Sequence, residues 1–270
     1  MLKHLSLMGV LLCGAMLLFV ACAKSDDAET ASNKGDAKFV FKVGFDASFP
    51  PYGYKDNNGN LVGFDLDLAR EVAKRRGWKI ELKPIDWDSK DAELTSGTIN
   101  CIWNGFTING RETQYEWTEP YVDNTQVVIV RTDSGMNTLA DLAGKTVAAQ
   151  VDSSGLAAIK SDEHKALLAS IKKLVEVPDF LRAFMELESG AADAVVVDHG
   201  VAMTQINGKA KFRLLSESLK AEQYGVGFKL GNKTLRDQVQ ETFKEMVKDG
   251  AAREISRKWF NGENVIVLKP

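Results

Sequence analysis

The sequence predicts an α/β protein of two lobes. Three observations lead there. Apolar, β-branched runs alternate with stretches of helical spacing along most of the chain, the pattern of sheets covered by helices. With residues 1–37 set aside as leader and tether, about 230 of the 270 remain, a size better divided between two cores than gathered into one. Midway, Glu119-Pro120-Tyr121 ends one alternating block, and Asn124 to Val130 reads as a single extended crossover into the next.

The leader is read first. Met1-Leu2-Lys3-His4 is a short basic start, Leu5 to Val20 is almost wholly apolar, and Ala21-Cys22 follows. That is the plan of an export signal, too short and wrongly flanked for a membrane span. A small residue directly before a cysteine and a polar tract looks like a bacterial lipoprotein processing site, with Cys22 as the lipid-modified N-terminus. The alternative is an ordinary secreted protein cut near Ala21 or Ala23. Residues 23–37 bury nothing and read as a disordered tether. Cleavage leaves Cys101 as the one internal cysteine, expected buried and inert, which excludes a disulfide framework.

Net charge is −3 with acids and bases interleaved, so no nucleic-acid partner is indicated. Three histidines, one of them in the leader, do not make a metal site. No phosphate-binding glycine loop and no G-x-S-x-G nucleophile motif is present, and no cofactor is expected.

Phe39 to Phe45 is a first strand ending at Asp46. The loop Phe49-Pro50-Pro51-Tyr52 is stiffened by its prolines, so its aromatic rings are presented rather than left loose. From Phe64 the apolar positions 64, 68, 69, 72 and 73 have helical spacing, with Asp65 and Asp67 at the start, basic residues at the end and Gly77 as the stop. Ile80 to Ile85 is a second strand, and Trp87 leads into a short helix ending near Gly97.

Thr98 to Ile102 is a short buried strand broken at Asn104-Gly105. In an α/β protein, ligands collect where strands end and backbone groups are unpaired. Gly105 exposes a carbonyl to close approach. Thr107 adds an N–H and a hydroxyl, and Arg111 a planar fork suited to a carboxylate. Together they can hold both ends of an α-amino acid, although a strand end with a surface arginine explains these residues equally well.

The second half continues with a short helix at 138–142, a strand at 145–149 and the polar loop from Gln150 to Gly155, which opens a helix. Ser153 and Ser154 stand there either as an anion site or as an ordinary N-cap. A strand at 172–177 and a helix at 179–189 follow, with apolar 180, 181, 184, 185 and 187. Ala192 to Asp198 is a buried strand finishing in a carboxylate, which is costly unless paired. His199 beside it reads as a rim or core residue. Gln223 to Phe228 is the second crossover, its glycines read as flexible points. Two closing helices, 232–250 and 251–260, return to the first lobe.

The run Gly63-Phe64-Asp65-Leu66-Asp67-Leu68 resembles the signature of the extracellular solute-binding proteins of polar amino-acid ABC transporters. The likeness extends through Gly105-x-Thr107, Arg111, Trp117 to Tyr121, Leu139 to Val147, and Gly225-Val226-Gly227. One departure is the spacing from Thr107 to Arg111, one residue shorter than usual in that family. The resemblance implies a periplasmic-binding-protein fold, two lobes closing on ligand like a flytrap. Lobe 1 is then 38–122 and 228–270, lobe 2 is 127–220, and the hinge crossovers are 123–126 and 221–227. It further implies that Phe49 and Trp87 flank the ligand side chain and that Asp46 and Asn104 reach its tip. Asp198 meets the ammonium, and Gln150, Ser153 and Ser154 complete the site. Trp103 is expected in the core; Phe106 and Tyr52 are open to either role.

Two aromatic walls with an acid and an amide suit a long polar or cationic side chain, or cystine; a carboxylate would meet Asp46 unfavourably. Expected partners are a free amino acid, the ABC permease with its ATPase, and the membrane through the lipid anchor, with the protein a monomer. Two other classes occur on such a fold. A cyclohexadienyl-type dehydratase needs a poised acid or base, and no second catalytic pair accompanies Asp46 or Asp198. A sensor would bring a transmembrane segment and a signalling module.

Overall fold

The computed structural model describes residues 39–207 and 210–270; Cys22, the leader and the tether lie outside the described residues. The chain runs β1 (Val40–Phe45), β2 (Ser48–Phe49), β3 (Gly53–Lys55), β4 (Leu61–Val62), α1 (Phe64–Arg76), β5 (Lys79–Pro84), α2 (Lys90–Ser96), β6 (Cys101–Ile102), β7 (Glu116–Trp117) and β8 (Val122–Arg131). It continues β9 (Thr146–Gln150), α3 (Ser154–Ile159), α4 (Lys165–Ser170), β10 (Lys173–Val177), α5 (Phe180–Ser189), β11 (Ala194–Asp198), α6 (His199–Ile206), β12 (Phe212–Tyr224), β13 (Gly227–Phe228), α7 (Lys233–Asp249) and α8 (Ala251–Trp259).

Two five-stranded sheets organise these elements into two lobes. The first has the order β5-β1-β6-β13-β7 and the second β10-β9-β11-β8-β12; β2, β3 and β4 form a small third sheet. The two large sheets repeat one plan. In the first, β1 lies between β5 and β6 and runs parallel to both. In the second, β9 lies between β10 and β11 and runs parallel to both. Each sheet therefore has a point where the chain leaves its central strand toward opposite neighbours, with loops diverging at the carboxyl ends.

The helices follow from their sequence patterns. All five apolar positions expected of α1 (Phe64, Leu68, Ala69, Val72, Ala73) are buried, and Gly77 closes it in the left-handed conformation, its N–H donating to the Ala73 and Lys74 carbonyls. In α5 the expected face is corrected in part. Phe180, Ala183, Phe184 and Leu187 are buried, whereas Leu181 and Met185 are 63 % and 55 % exposed. Positions 180, 183, 184 and 187 lie on one side of a 3.6-residue helix, and 181 and 185 fall past its edge. The closing helices α7 and α8 pack on α1, as the sequence indicates.

Two long strands link the lobes. β8 and β12 pair antiparallel along almost their whole length, from Val122 opposite Tyr224 to Arg131 opposite Phe212. The glycines beyond β12 are not flexible points. A Cβ on Gly225 would stand 2.8 Å from Ile108 Cδ1, and one on Gly227 2.8 Å from Phe106 Cε1. They are small because neighbouring side chains fill the space. Cys101 is free and buried, and burial pushes its thiol well above the usual range. Trp103, Phe106 and Tyr52 are all buried in the core.

Candidate functional site

Asp46 and Asn104 follow the carboxyl ends of β1 and β6; Gln150 and Asp198 end β9 and β11. These two pairs of strand ends meet across one small cavity. Its walls are Asp46, Phe49, Trp87, Asn104, Gly105, Thr107, Arg111, Gln150, Ser153, Ser154, Asp198 and Phe180. The structure thus brings together all eleven residues singled out from the sequence for ligand contact, and adds Phe180.

On the first lobe, the site hangs on a carboxylate inside the fold. Asp65, at the start of α1, accepts from the Gly105 N–H at 2.6 Å and the Tyr121 hydroxyl at 2.8 Å. Burial raises its pKa to about 7 against the pull of those two bonds. Gly105 is held at φ +56°, and a Cβ there would lie 2.8 Å from Phe49 Cε1 and 3.1 Å from Tyr224 Cε2. Both the backbone angle and the space demand glycine. Beyond it, the Phe106 carbonyl accepts from the Gly225 N–H and the Ile108 N–H donates to the Gln223 carbonyl. That ladder passes over the Thr107 N–H. The Thr107 hydroxyl donates to Glu222 Oε1 at 2.9 Å and lies 3.1 Å from Ser154 Oγ across the cleft.

Arg111 lies with its guanidinium carbon 5.3 Å from the Phe106 ring centre. Its fork donates to the Thr107 carbonyl at 3.4 Å on one lobe and the Asp152 carbonyl at 3.1 Å on the other. Ser153 caps α3, accepting from the Leu156 N–H at 3.0 Å, and its own N–H turns to the Gln150 carbonyl. The N-cap alternative therefore accounts for the Ser153 hydroxyl, and the Ser154 hydroxyl is the one that reaches across the cleft.

At the other end of the cavity, Asp46 accepts from the Ser48 N–H at 2.7 Å and from Gln150 Nε2 at 2.6 Å, the latter bond crossing between lobes. Its own N–H donates to Asn104 Oδ1 at 2.9 Å. Burial first, then Asp179 and Asp86, raise the Asp46 carboxyl to about 6 while the Ser48 and Gln150 bonds oppose them. The aromatic lining is Phe49, Trp87 and Phe180; Phe49 and Phe180 meet with ring centres 5.4 Å apart. Phe180 was missed because it reads as the first core residue of an amphipathic helix, and only the packing of the lobes turns it to the cavity.

A second group was also missed. Asn124, Gln126, Glu222 and Tyr224 are buried and surround Asp198. The available signal was alternation: polar residues at 124 and 126 and at 222 and 224 occupy the inward positions of two strands. Among the described residues there is no group of acids, histidines and cysteines able to hold a metal ion, and no helix long and apolar enough to cross a membrane.

Residues 41–262 match the family model described as bacterial extracellular solute-binding proteins, family 3. Among curated relatives, the L-cystine-binding protein TcyA of Bacillus subtilis (strain 168) is 26 % identical, the match covering 96 % of this chain and 98 % of that protein. The arginine-binding extracellular protein ArtP of the same organism is 28 % identical, over 94 % and 98 % of the two chains. Among solved structures, a substrate-binding protein of an ABC uptake transporter from Streptococcus pneumoniae, with histidine bound, is 33 % identical with a TM-score of 0.80, covering 85 % of this chain and 95 % of that one.

Proposed function

The chain belongs to the bacterial extracellular solute-binding proteins, family 3, and from that premise we propose that it captures one free L-amino acid for delivery to an ABC importer. One observation carries the reading. The cavity has a guanidinium fork at one end, a buried carboxylate beside it and aromatic walls leading to a second carboxylate. An α-amino acid has the matching order of charges. Its carboxylate lies on Arg111, the Thr107 N–H and Ser154; its ammonium lies on Asp198 and the Gly105 carbonyl. Its side chain runs between Phe49, Trp87 and Phe180 toward Asp46, Asn104 and Gln150. A polar or cationic side chain, or cystine, suits that end, since Asp86 and Asp179 add negative charge around Asp46. The cystine and arginine named for the relatives are of this kind.

Binding, not turnover, is the proposed activity. Asp46 and Asp198 both have binding roles in this arrangement, and a dehydratase would need one of them free as acid or base. The hinge is proposed at 123–126 and 221–227, between a first lobe of 38–122 with 228–270 and a second of 127–220. The protein is proposed to act as a monomer, exported by residues 1–22 and anchored by lipid on Cys22 outside the cytoplasm.

A thermal-shift panel of L-arginine, L-lysine, L-histidine, L-glutamine, L-cystine and L-glutamate tests the reading. Ligand at about 100 times its Kd stabilises by roughly 2.7 kcal/mol, an easily read shift. Shifts are expected from members of the first five and not from glutamate. No shift with any amino acid would overturn the proposal.

A further inference from the structure

We propose that Asp198 and Glu222 form a carboxylate pair that shares one proton in the empty protein, and that capture of a ligand ammonium expels this proton to solvent. The inference rests on the amino-acid reading of the cavity and assigns a positioning residue, Glu222, that does not line it.

The pair is built by strand register. Asp198 at the end of β11 stands opposite Gln126 on β8, and Asn124 on β8 stands opposite Glu222 on β12. Positions 124 and 126 share one face of β8, so both acids and both amides point to the same side. Asn124 Nδ2 donates to Asp198 Oδ1 at 2.7 Å and to Glu222 Oε1 at 2.8 Å. Gln126 Nε2 does the same, at 2.8 Å to each. Two nitrogens thus hold one oxygen of each acid close together. Asp198 is 3 % and Glu222 4 % exposed.

Among the described residues, no cation is bonded to either acid. β8 contributes the two amides, the exposed Asp123 and, at its far end, Arg131, whose guanidinium donates to the Leu187 and Ala192 carbonyls. β12 contributes Tyr224, whose hydroxyl donates to Asp198, and the exposed Lys220. α3 offers the Ser154 hydroxyl, α6 the exposed His199, and the first lobe the Thr107 hydroxyl and the buried Tyr52. Burial holds both tyrosines well above their ordinary pKa, so they stay neutral. Arg111, on the cavity wall, donates to backbone carbonyls instead. Two buried carboxylates without a cation do not both ionise; the pair keeps a proton and titrates as a unit. Consistent with this, burial and then the Glu222 charge push Asp198 up to about 8.

An ammonium at Asp198 is the missing cation. Once it arrives, both acids are stable as carboxylates and the shared proton leaves as the ligand enters. Glu222 also accepts from Thr107 of the first lobe and Ser154 of the second, so its ionised form strengthens a bond to each lobe. The sign follows. Below pH about 8 the empty pair holds a proton that the loaded pair lacks, so affinity rises with pH, by at most about tenfold per unit. Above that pH the gain ends, and affinity falls once the ligand's own ammonium loses its proton.

The test is titration calorimetry at pH 7 in phosphate and in Tris, whose protonation enthalpies differ, using whichever amino acid of the panel binds. The wild-type protein is expected to release close to one proton per ligand. Glu222→Gln, which removes the like charge and keeps the shape, is expected to release far less and to lose most of the pH slope. Tyr224→Phe, which withdraws a hydrogen bond from Asp198, is expected to extend the slope to higher pH. Binding without proton release in the wild type overturns this inference and leaves amino-acid capture standing. Unchanged release in Glu222→Gln, or an unmoved slope in Tyr224→Phe if the first variant does not fold, places the proton elsewhere and overturns it as well. If no amino acid binds, the functional reading falls and this inference with it.

Discussion

Gly105 and Arg111 show how much of this site rests on single residues. Gly105 turns at φ +56° under Phe49 and Tyr224, and its N–H is fixed by the buried Asp65. Gly105 lines the cavity, and its carbonyl is the acceptor proposed for the ammonium. Arg111 sits where a carboxylate is expected, with its fork resting on carbonyls of both lobes. If it clamps the ligand, Arg111→Ala costs about 2–5 kcal/mol of binding, roughly a 30- to 5000-fold weaker Kd. Arg111→Lys recovers little, because a point charge does not reproduce two parallel bonds. Calorimetry on the two variants checks this. Near-wild-type affinity in the alanine variant would assign Arg111 to the contact with Asp152 alone, despite the shortened spacing from Thr107.

Between elements, the most telling contact joins α2 to the loop before α3. Lys90 is 1 % exposed, lies 5.3 Å from the Trp87 ring centre, and forms an ion pair with Asp152 of the other lobe. Asp152 adopts φ +55°, a conformation that Asp tolerates better than most side chains. The pair spans the cleft beside the aromatic wall, so it is expected to break when the lobes part. Because the Asp152 side chain is half exposed, its removal is worth about 1 kcal/mol at most. Lys90→Met is therefore expected to weaken ligand binding by roughly fivefold, through faster dissociation. The melting temperature of the ligand-free protein should hold. Stopped-flow dissociation with a parallel melt decides the matter: equal loss of apo stability would make Lys90 a core residue rather than a latch.

At the scale of the whole molecule, two sheets of the same plan face one another through their strand ends, and β8 with β12 carries the chain between them. A binding protein of this form is useful only where it meets both solute and importer. The proposed anchor at Cys22 keeps it there, with residues 23–37 as the spacer. Cys22→Ala is expected to release the protein in soluble form with ligand affinity unchanged, read by fractionation and calorimetry. Retention in the membrane fraction would remove the lipid anchor from the proposal.

The sequence by itself determined the alternation of strands and helices, the cap at Gly77 and the buried face of α1. It also picked out Gly105, Thr107, Arg111, Ser153, Ser154 and Asp198. These are local matters: periodicity, a left-handed turn that only glycine takes cheaply, a carboxylate stranded at the end of an apolar strand. Asp46, Phe49, Trp87, Asn104 and Gln150 came instead from the chain's resemblance to the family's motifs. Tertiary structure alone decided the rest. Phe180 reads as an ordinary core residue until α5 is laid against Phe49. Leu181 and Met185 read as core until the helix is rotated onto its sheet. Glu222 reads as one more charge on a solvated strand, because its meaning depends on strand register that brings it beside Asp198, an acid 24 positions earlier in the chain. Register is set by pairing between distant segments, and a shift of one residue would turn that carboxylate to the opposite face.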